Sequence, residues 1–250
     1  MTIWKLITIS FITFTLIATA NAAPITPTWE SNYGMLSDLS DDDDNNELFD
    51  LGFDFTFYGT DYDEVYGSTN GSLFFDDEED FGIGSDIEGS YGPMIAAFSA
   101  DLCPECDSDS EIYTNTLGTA GDMRFIMTWL NVIDYEEEFY NSFQAILFES
   151  GSIQVNYLEL NGSGEDNGDD VIGVSSGNGT NFNYFIADDG NDNGIYPNGQ
   201  SFLYNWNAGS ANYDLAVENL STSTVSVPEP STLAIFVLGF MGLVLRRFKN

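Results

Sequence analysis

Across residues 23–227 the apolar side chains fall in short alternating or aromatic runs, punctuated by Gly, Asn and Asp. Successive side chains of a strand point to opposite faces, so period-two runs bounded by such residues read as strands joined by turns. No window keeps apolar residues at i, i+3, i+4 and i+7 for three turns, and helices are not expected there. The pattern predicts strands over residues 53–58, 64–68, 72–75, 94–98, 111–116, 123–132, 142–149, 152–160, 171–175, 183–187 and 201–205. Phe143, Ala145 and Leu147 alternate with Gln144, Ile146 and Phe148, and Ile153, Val155 and Tyr157 with Gln154 and Asn156. Ser150-Gly151 lies between them, which predicts a hairpin whose tight turn uses the positive φ open to glycine. Residues 123–132 are apolar on both faces, the mark of a central strand. Residues 37–46 and 161–170 are too acidic and Gly-rich to pack and are expected to be loops. The fold class is all-β: an antiparallel β-sandwich or a partly open barrel.

The two ends follow other rules. Lys5, an apolar stretch from Leu6 to Ile17 and the small-residue site Ala20-Asn21-Ala22 have the order of a signal peptide whose removal leaves Ala23 first. A short N-terminal membrane anchor is the other reading of that run. At the far end Val227-Pro228-Glu229-Pro230 precedes an apolar run over residues 233–245, then Arg246-Arg247. As a helix this run rises about 20 Å, short of a hydrocarbon core of about 30 Å. Snorkelling arginines and local thinning make up the difference. The basic cluster leaves the tail in the cytoplasm and the domain outside. This tripartite order resembles the PEP-CTERM sorting signal. The resemblance implies a Gram-negative bacterial protein held transiently in the inner membrane by a short C-terminal hydrophobic helix. An exosortase-type enzyme would process it near the motif, whether or not the tail is also retained for a time as an anchor. Proteins with this tail commonly accompany exopolysaccharide production.

Charge narrows the chemistry. Of 41 Asp and Glu only Glu229 lies outside residues 23–227, and of five Lys and Arg only Arg124 lies inside, a formal charge of −39 for that span. Nucleic acid is thereby excluded as a partner, since its affinity comes from cations that displace counterions. The chain has no His, which excludes imidazole catalysis. The same span keeps 15 Phe, 13 Tyr and 3 Trp, enough apolar material for an ordinary core.

Several segments in register resemble the nidogen-like (NIDO) domain of extracellular and adhesive proteins. They are Phe55-Thr56-Phe57-Tyr58-Gly59, Val65-Tyr66-Gly67-Ser68-Thr69-Asn70-Gly71-Ser72-Leu73-Phe74-Phe75, and Pro93-Met94-Ile95-Ala96-Ala97-Phe98 leading to Asp101. Thr128-Trp129-Leu130-Asn131-Val132 and Asn141-Ser142-Phe143-Gln144-Ala145-Ile146-Leu147 follow in order, although Ser99 replaces a usual aromatic. The resemblance covers residues 50–205. It implies a β-rich module of matrix and adhesion with no catalytic residue to carry over. The organisation expected is a signal peptide at 1–22, an acidic segment at 23–49, a nidogen-like β domain at 50–226 and a sorting and anchor segment at 227–250.

Three constellations bear on chemistry. Asp189, Asn191 and Asn193, followed by Gly194, have the oxygen spacing of a calcium loop, but the twelfth position is Gln200 and no helices flank it. These departures disfavour an EF-hand and leave two readings: a looser Ca²⁺ loop on a β scaffold, or a solvated turn. Ca²⁺ is the one cofactor the sequence offers. Cys103 and Cys106 enclose only Pro104 and Glu105; without a following helix or further metal ligands, a local disulfide fits an exported chain. Carboxylate pairs at glycosidase spacing arise by chance among so many acids, so proximity alone assigns nothing. Tyr62, Tyr66 and Tyr196 are expected to pack or to sit at strand edges, with stacking on sugars as the alternative.

The function expected is that of a non-enzymatic, secreted surface or extracellular-matrix protein. Its partner would be exopolysaccharide or another surface polymer, bridged by divalent cations. A carboxylate-dependent glycan hydrolase and a calcium-responsive module without a glycan partner are the alternatives.

Overall fold

A computed structural model describes residues 27–76, 87, 92–136, 138–163, 170–188 and 194–221. Thirteen strands are found among them: β1 (Met35–Leu36), β2 (Asn46–Phe57), β3 (Thr60–Ser68), β4 (Ser72–Phe74), β5 (Met94–Ser99), β6 (Glu111–Leu117), β7 (Arg124–Ile133), β8 (Tyr140–Phe148), β9 (Ile153–Glu159), β10 (Asp170–Ser175), β11 (Phe182–Asp188), β12 (Gln200–Asn207) and β13 (Asn212–Asn219). They form a seven-stranded sheet, β1-β6-β7-β8-β9-β12-β13, and a six-stranded sheet, β11-β10-β5-β4-β3-β2, with every pairing antiparallel. Among the described residues no strand pairing closes either sheet on itself or on the other, so the molecule is a sandwich and not a closed barrel.

Alternation builds the core between the sheets. Phe55 and Phe57 of β2, Ile95 and Ala97 of β5, Met127 and Trp129 of β7, Phe143 and Leu147 of β8 and Val155 and Tyr157 of β9 all point inward and are buried. Trp129 stacks on Phe143 at 4.8 Å between ring centroids. Its indole N–H donates to the Ser68 carbonyl at 3.0 Å, and the Tyr157 hydroxyl donates to that of Ala97 at 2.8 Å, so two large rings bind the sheets together through polar tips. The hairpin β8–β9 turns at Gly151, whose φ is +83°. Strand β7 sits inside its sheet, as its two apolar faces require.

Several expectations change. Strand β2 runs through residue 50, and the described residues before it, 27–49, pack on the sandwich. Residues 37–46 are not a plain loop: Asp38–Asp41 is a 3₁₀ turn capped by the Ser37 hydroxyl, with Leu39 buried against the core while Asp38 and Asp41 face solvent. One apolar residue per turn is enough to seat an otherwise acidic segment. Asp170, expected in a loop, opens β10 and is buried, held by the Ser163 hydroxyl at 2.7 Å and the Tyr196 hydroxyl at 2.9 Å. The signal peptide and C-terminal helix lie outside the described residues. Among the described residues no helix is long and apolar enough to cross a membrane.

Candidate functional site

The outer face of the seven-stranded sheet carries a row of fully buried polar side chains: Thr128 on β7, Gln144 on β8, Asn156 on β9 and Ser201 on β12. Each alternates with an inward core residue, so the row points away from the core. Residues 27–33 lie across it as a strap. Gln144 accepts the Glu30 N–H through Oε1 at 3.1 Å and donates through Nε2 to the Glu30 carbonyl at 3.1 Å and to Thr128 Oγ1 at 2.7 Å. Asn156 donates to the Thr28 carbonyl and to Gln144 Oε1, each at 3.2 Å, and accepts from the Ser201 hydroxyl at 2.6 Å. Further along, Asn115 of β6 donates to the Asn32 carbonyl at 2.9 Å. Buried amides of this kind are stable only when bonded, and the strap supplies the partners.

The strap also joins the two ends of the domain. Thr28 and Ser221 form a parallel bridge, with the Trp29 N–H donating to the Ser221 carbonyl at 3.4 Å and the Ser221 N–H to that of Pro27 at 2.9 Å. Chain entry and chain exit therefore lie side by side. Arg124, the one base in residues 23–227, meets Glu30 of the strap at 2.9 Å.

An open groove of about 510 Å³ lies at one end of the sandwich, lined by Asp109, Asn131, Glu138, Phe139, Tyr140, Glu159 and Asn161. The register of β7 on β8 shifts between Trp129 and Val132, and Asn131 in that bulge has φ +52°. Asn131 N–H bonds the Ser142 hydroxyl at 3.0 Å, which fixes the bulge. Behind the groove, Asp134 accepts the N–H groups of Glu138 and Phe139 at 2.8 and 2.7 Å. Its other oxygen, Oδ2, is buried without a partner. Burial pushes the Asp134 carboxyl above the usual range, against the pull of those two N–H groups. At the rim the Tyr140 hydroxyl donates to Asp107 at 2.8 Å. The Asp109 N–H foremost, and then Tyr140, hold the Asp107 carboxyl below the usual range. Carboxylates, side-chain amides and an exposed ring give the groove the means to bond hydroxyl-rich or cationic groups.

Of the residues singled out from sequence, Cys103 and Cys106 are joined as a disulfide about a 3₁₀ turn, Pro104–Cys106. Asp189, Asn191 and Asn193, and the tail residues Val227, Pro228, Glu229, Pro230, Arg246 and Arg247, lie outside the described residues. Among the described residues no three Asp, Glu, Cys or His side chains gather closely enough to hold a metal. The three tyrosines pack: Tyr62 against Phe75, Tyr66 against the cluster around Phe74, and Tyr196 against Phe98. Among the described residues the exposed rings are Tyr135, Tyr140 and Trp206.

Two stacked antiparallel sheets, chain ends clasped on one outer face and an open acid-lined groove define a β-sandwich module that presents its chemistry on open surface. The NIDO-related family model matches residues 15–194, most of the chain, and the protein belongs to that family. The PEP-CTERM protein-sorting motif matches residues 226–247. That motif marks an exported protein of a Gram-negative bacterium, processed at the membrane by an exosortase-type enzyme. No curated protein and no solved structure matches the chain.

Proposed function

We propose that the protein is a non-enzymatic component of the bacterial surface or extracellular matrix that associates with exopolysaccharide or a comparable surface polymer. The observation that carries this reading is the joining of a NIDO-related sandwich and a PEP-CTERM tail in one chain. The groove supports it as the contact face: Asp109, Glu138 and Glu159 accept hydrogen bonds from hydroxyls or share divalent cations with an anionic polymer, and Tyr140 offers a ring face. In a strongly anionic protein, an anionic polymer binds only through such bridging or at high salt.

The test is retention of the purified protein on the polysaccharide of its own producer, with and without millimolar Ca²⁺. Retention without chain shortening, lost on replacing Asp109→Asn, Glu138→Gln and Glu159→Gln together, is the expected result. Shortening of the polymer would establish hydrolysis instead. Calcium binding by calorimetry with no retention would leave a calcium-responsive module.

A further inference from the structure

The strap is held as a ligand peptide is held. Three side-chain amides on three strands, Asn156, Asn115 and Gln144, bond the main chain of Thr28, Glu30 and Asn32, alternate residues of one extended segment. Alternate peptide groups of an extended chain face the same way, so a row of amides meets them without regard to side chains. Strap side chains enter at few points. Glu30 pairs with Arg124, and Tyr33 packs on Tyr113 at 5.4 Å between centroids. Trp29 and Tyr33 mainly bond each other, indole N–H to hydroxyl at 2.9 Å.

We infer that this amide row is a binding site for an extended peptide, and that its second occupant is the strap of a neighbouring copy, so that molecules at the surface exchange straps. A neighbour's strap is chemically identical and makes every one of these bonds equally well, which is the basis of exchange between protomers. The strap turns into the sheet at a glycine. Gly34 has φ +85° and packs so closely on the Thr114 carbonyl that a Cβ has no room there. Next comes β1, two residues long, with Met35 76% and Leu36 56% exposed. That is a slender connection, and it leaves an apolar pair uncovered. Exchange also needs a free end. It rests on the export reading, in which removal of residues 1–22 leaves four residues before Pro27 and nothing to thread. The Thr28–Ser221 bridge sets the strap beside the exit towards the sorting tail, so copies tethered by their tails present straps at one height and at high effective concentration.

The test uses full-length chains exported by their host, co-expressed with two different affinity tags. In one, Trp29 is replaced by the photo-crosslinker benzoylphenylalanine; in a second experiment Tyr33 is replaced in the same way. Illumination should give adducts between the two tags that map to β6–β9 of the partner copy. Placing Glu30→Arg in one copy and Arg124→Glu in the other mismatches each strap at home and matches it in exchange. The yield between tags should then rise about two- to fivefold, the worth of one such ion pair. Adducts confined to single chains in all these pairs, or mapping elsewhere on the partner, would overturn exchange. N-terminal sequencing of the same material keeps the two readings apart: an intact leader would refute the export reading, whereas a mature N terminus with adducts only within chains refutes exchange alone.

Discussion

The two sheets share one core but cover their outer faces in different ways. Outside the six-stranded sheet Phe74, Ile87, Met94, Ala96 and Val171 form a second buried apolar cluster, with Tyr66 and Tyr184 packed against it. Outside the seven-stranded sheet a buried polar row, Thr128, Gln144, Asn156 and Ser201, lies beside buried Ile126 and Ile146 and is bonded to a strap. Apolar contact is non-directional and proportional to area, so the first cover resists removal without fixing a unique register. Amide bonds contribute only about 1 kcal/mol each, but a buried amide left unbonded costs more than that, so the second cover is specific and also able to lift away.

The largest effect should follow Phe74→Ala. Loss of a fully buried ring costs about 3–5 kcal/mol, and because the surrounding side chains belong to the sandwich the loss should be global. Denaturant unfolding should show one cooperative transition at a much lower midpoint. Gln144→Leu should differ in kind as well as size. It removes the two bonds to Glu30, the bond to Thr128 and the acceptor for Asn156. Water can reach the freed groups once the strap lifts, so the global loss should stop at about 2 kcal/mol. Hydrogen exchange at Glu30 and Ser221 should approach that of open chain while the β7–β8–β9 amides stay protected. Uniform loss of protection would erase the distinction between the two covers.

A buried polar group can also lack full cover, and Asp134 supplies that case. Its Oδ1 is bonded twice, whereas Oδ2 is buried with no partner. Burial raises the carboxyl in the folded state, so folding favours the protonated form. The stability it contributes is fully present below the unfolded carboxyl range, about pH 3.9, and is lost as pH rises through the raised folded value. Asp134→Asn should therefore melt higher than the parent at pH 7, by an amount corresponding to about 1 kcal/mol, and match it near pH 3. An equal difference at both pH values would remove ionisation from the explanation.

The strands are largely legible because alternation records which face of a strand is inward, and it does so for every expected strand from residue 53 to residue 205. Strand β13 was missed although Tyr213, Leu215 and Val217 alternate after a Gly-Ser turn. Strand β1 carried no such signal: both of its residues are exposed, and it exists because the strap leads the chain past β6. What covers an outward face was not legible. Gln144 and Asn156 alternate with core positions, and alternation gives direction but says nothing of a segment over a hundred residues away. The groove was hidden for the same reason, its acids coming from the loop before β6, the turn after β7 and the end of β9. Tyr62, Tyr66 and Tyr196 pack as expected, although a strand-edge ring and a core ring share one sequence pattern.

The smallest effect, and the sharpest test of how charge serves the polar cover, belongs to Glu30→Gln. The Arg124–Glu30 pair is partly exposed, with side chains 30% and 22% accessible, so its removal should cost only about 0.2–1 kcal/mol in dilute buffer. Salt acts on this pair and on the rest of the molecule in opposite directions. At about 0.5 M the screening length falls to roughly 4 Å, which weakens the pair and relieves the repulsion among the remaining carboxylates. The melting temperature of the parent should therefore rise from dilute buffer to 0.5 M NaCl, while its small advantage over Glu30→Gln shrinks towards zero. If that advantage persisted unchanged in high salt, Glu30 would be holding the strap by packing and by its bond to the Asn32 N–H at 3.0 Å, and the lone cation of the domain would not be what fastens it.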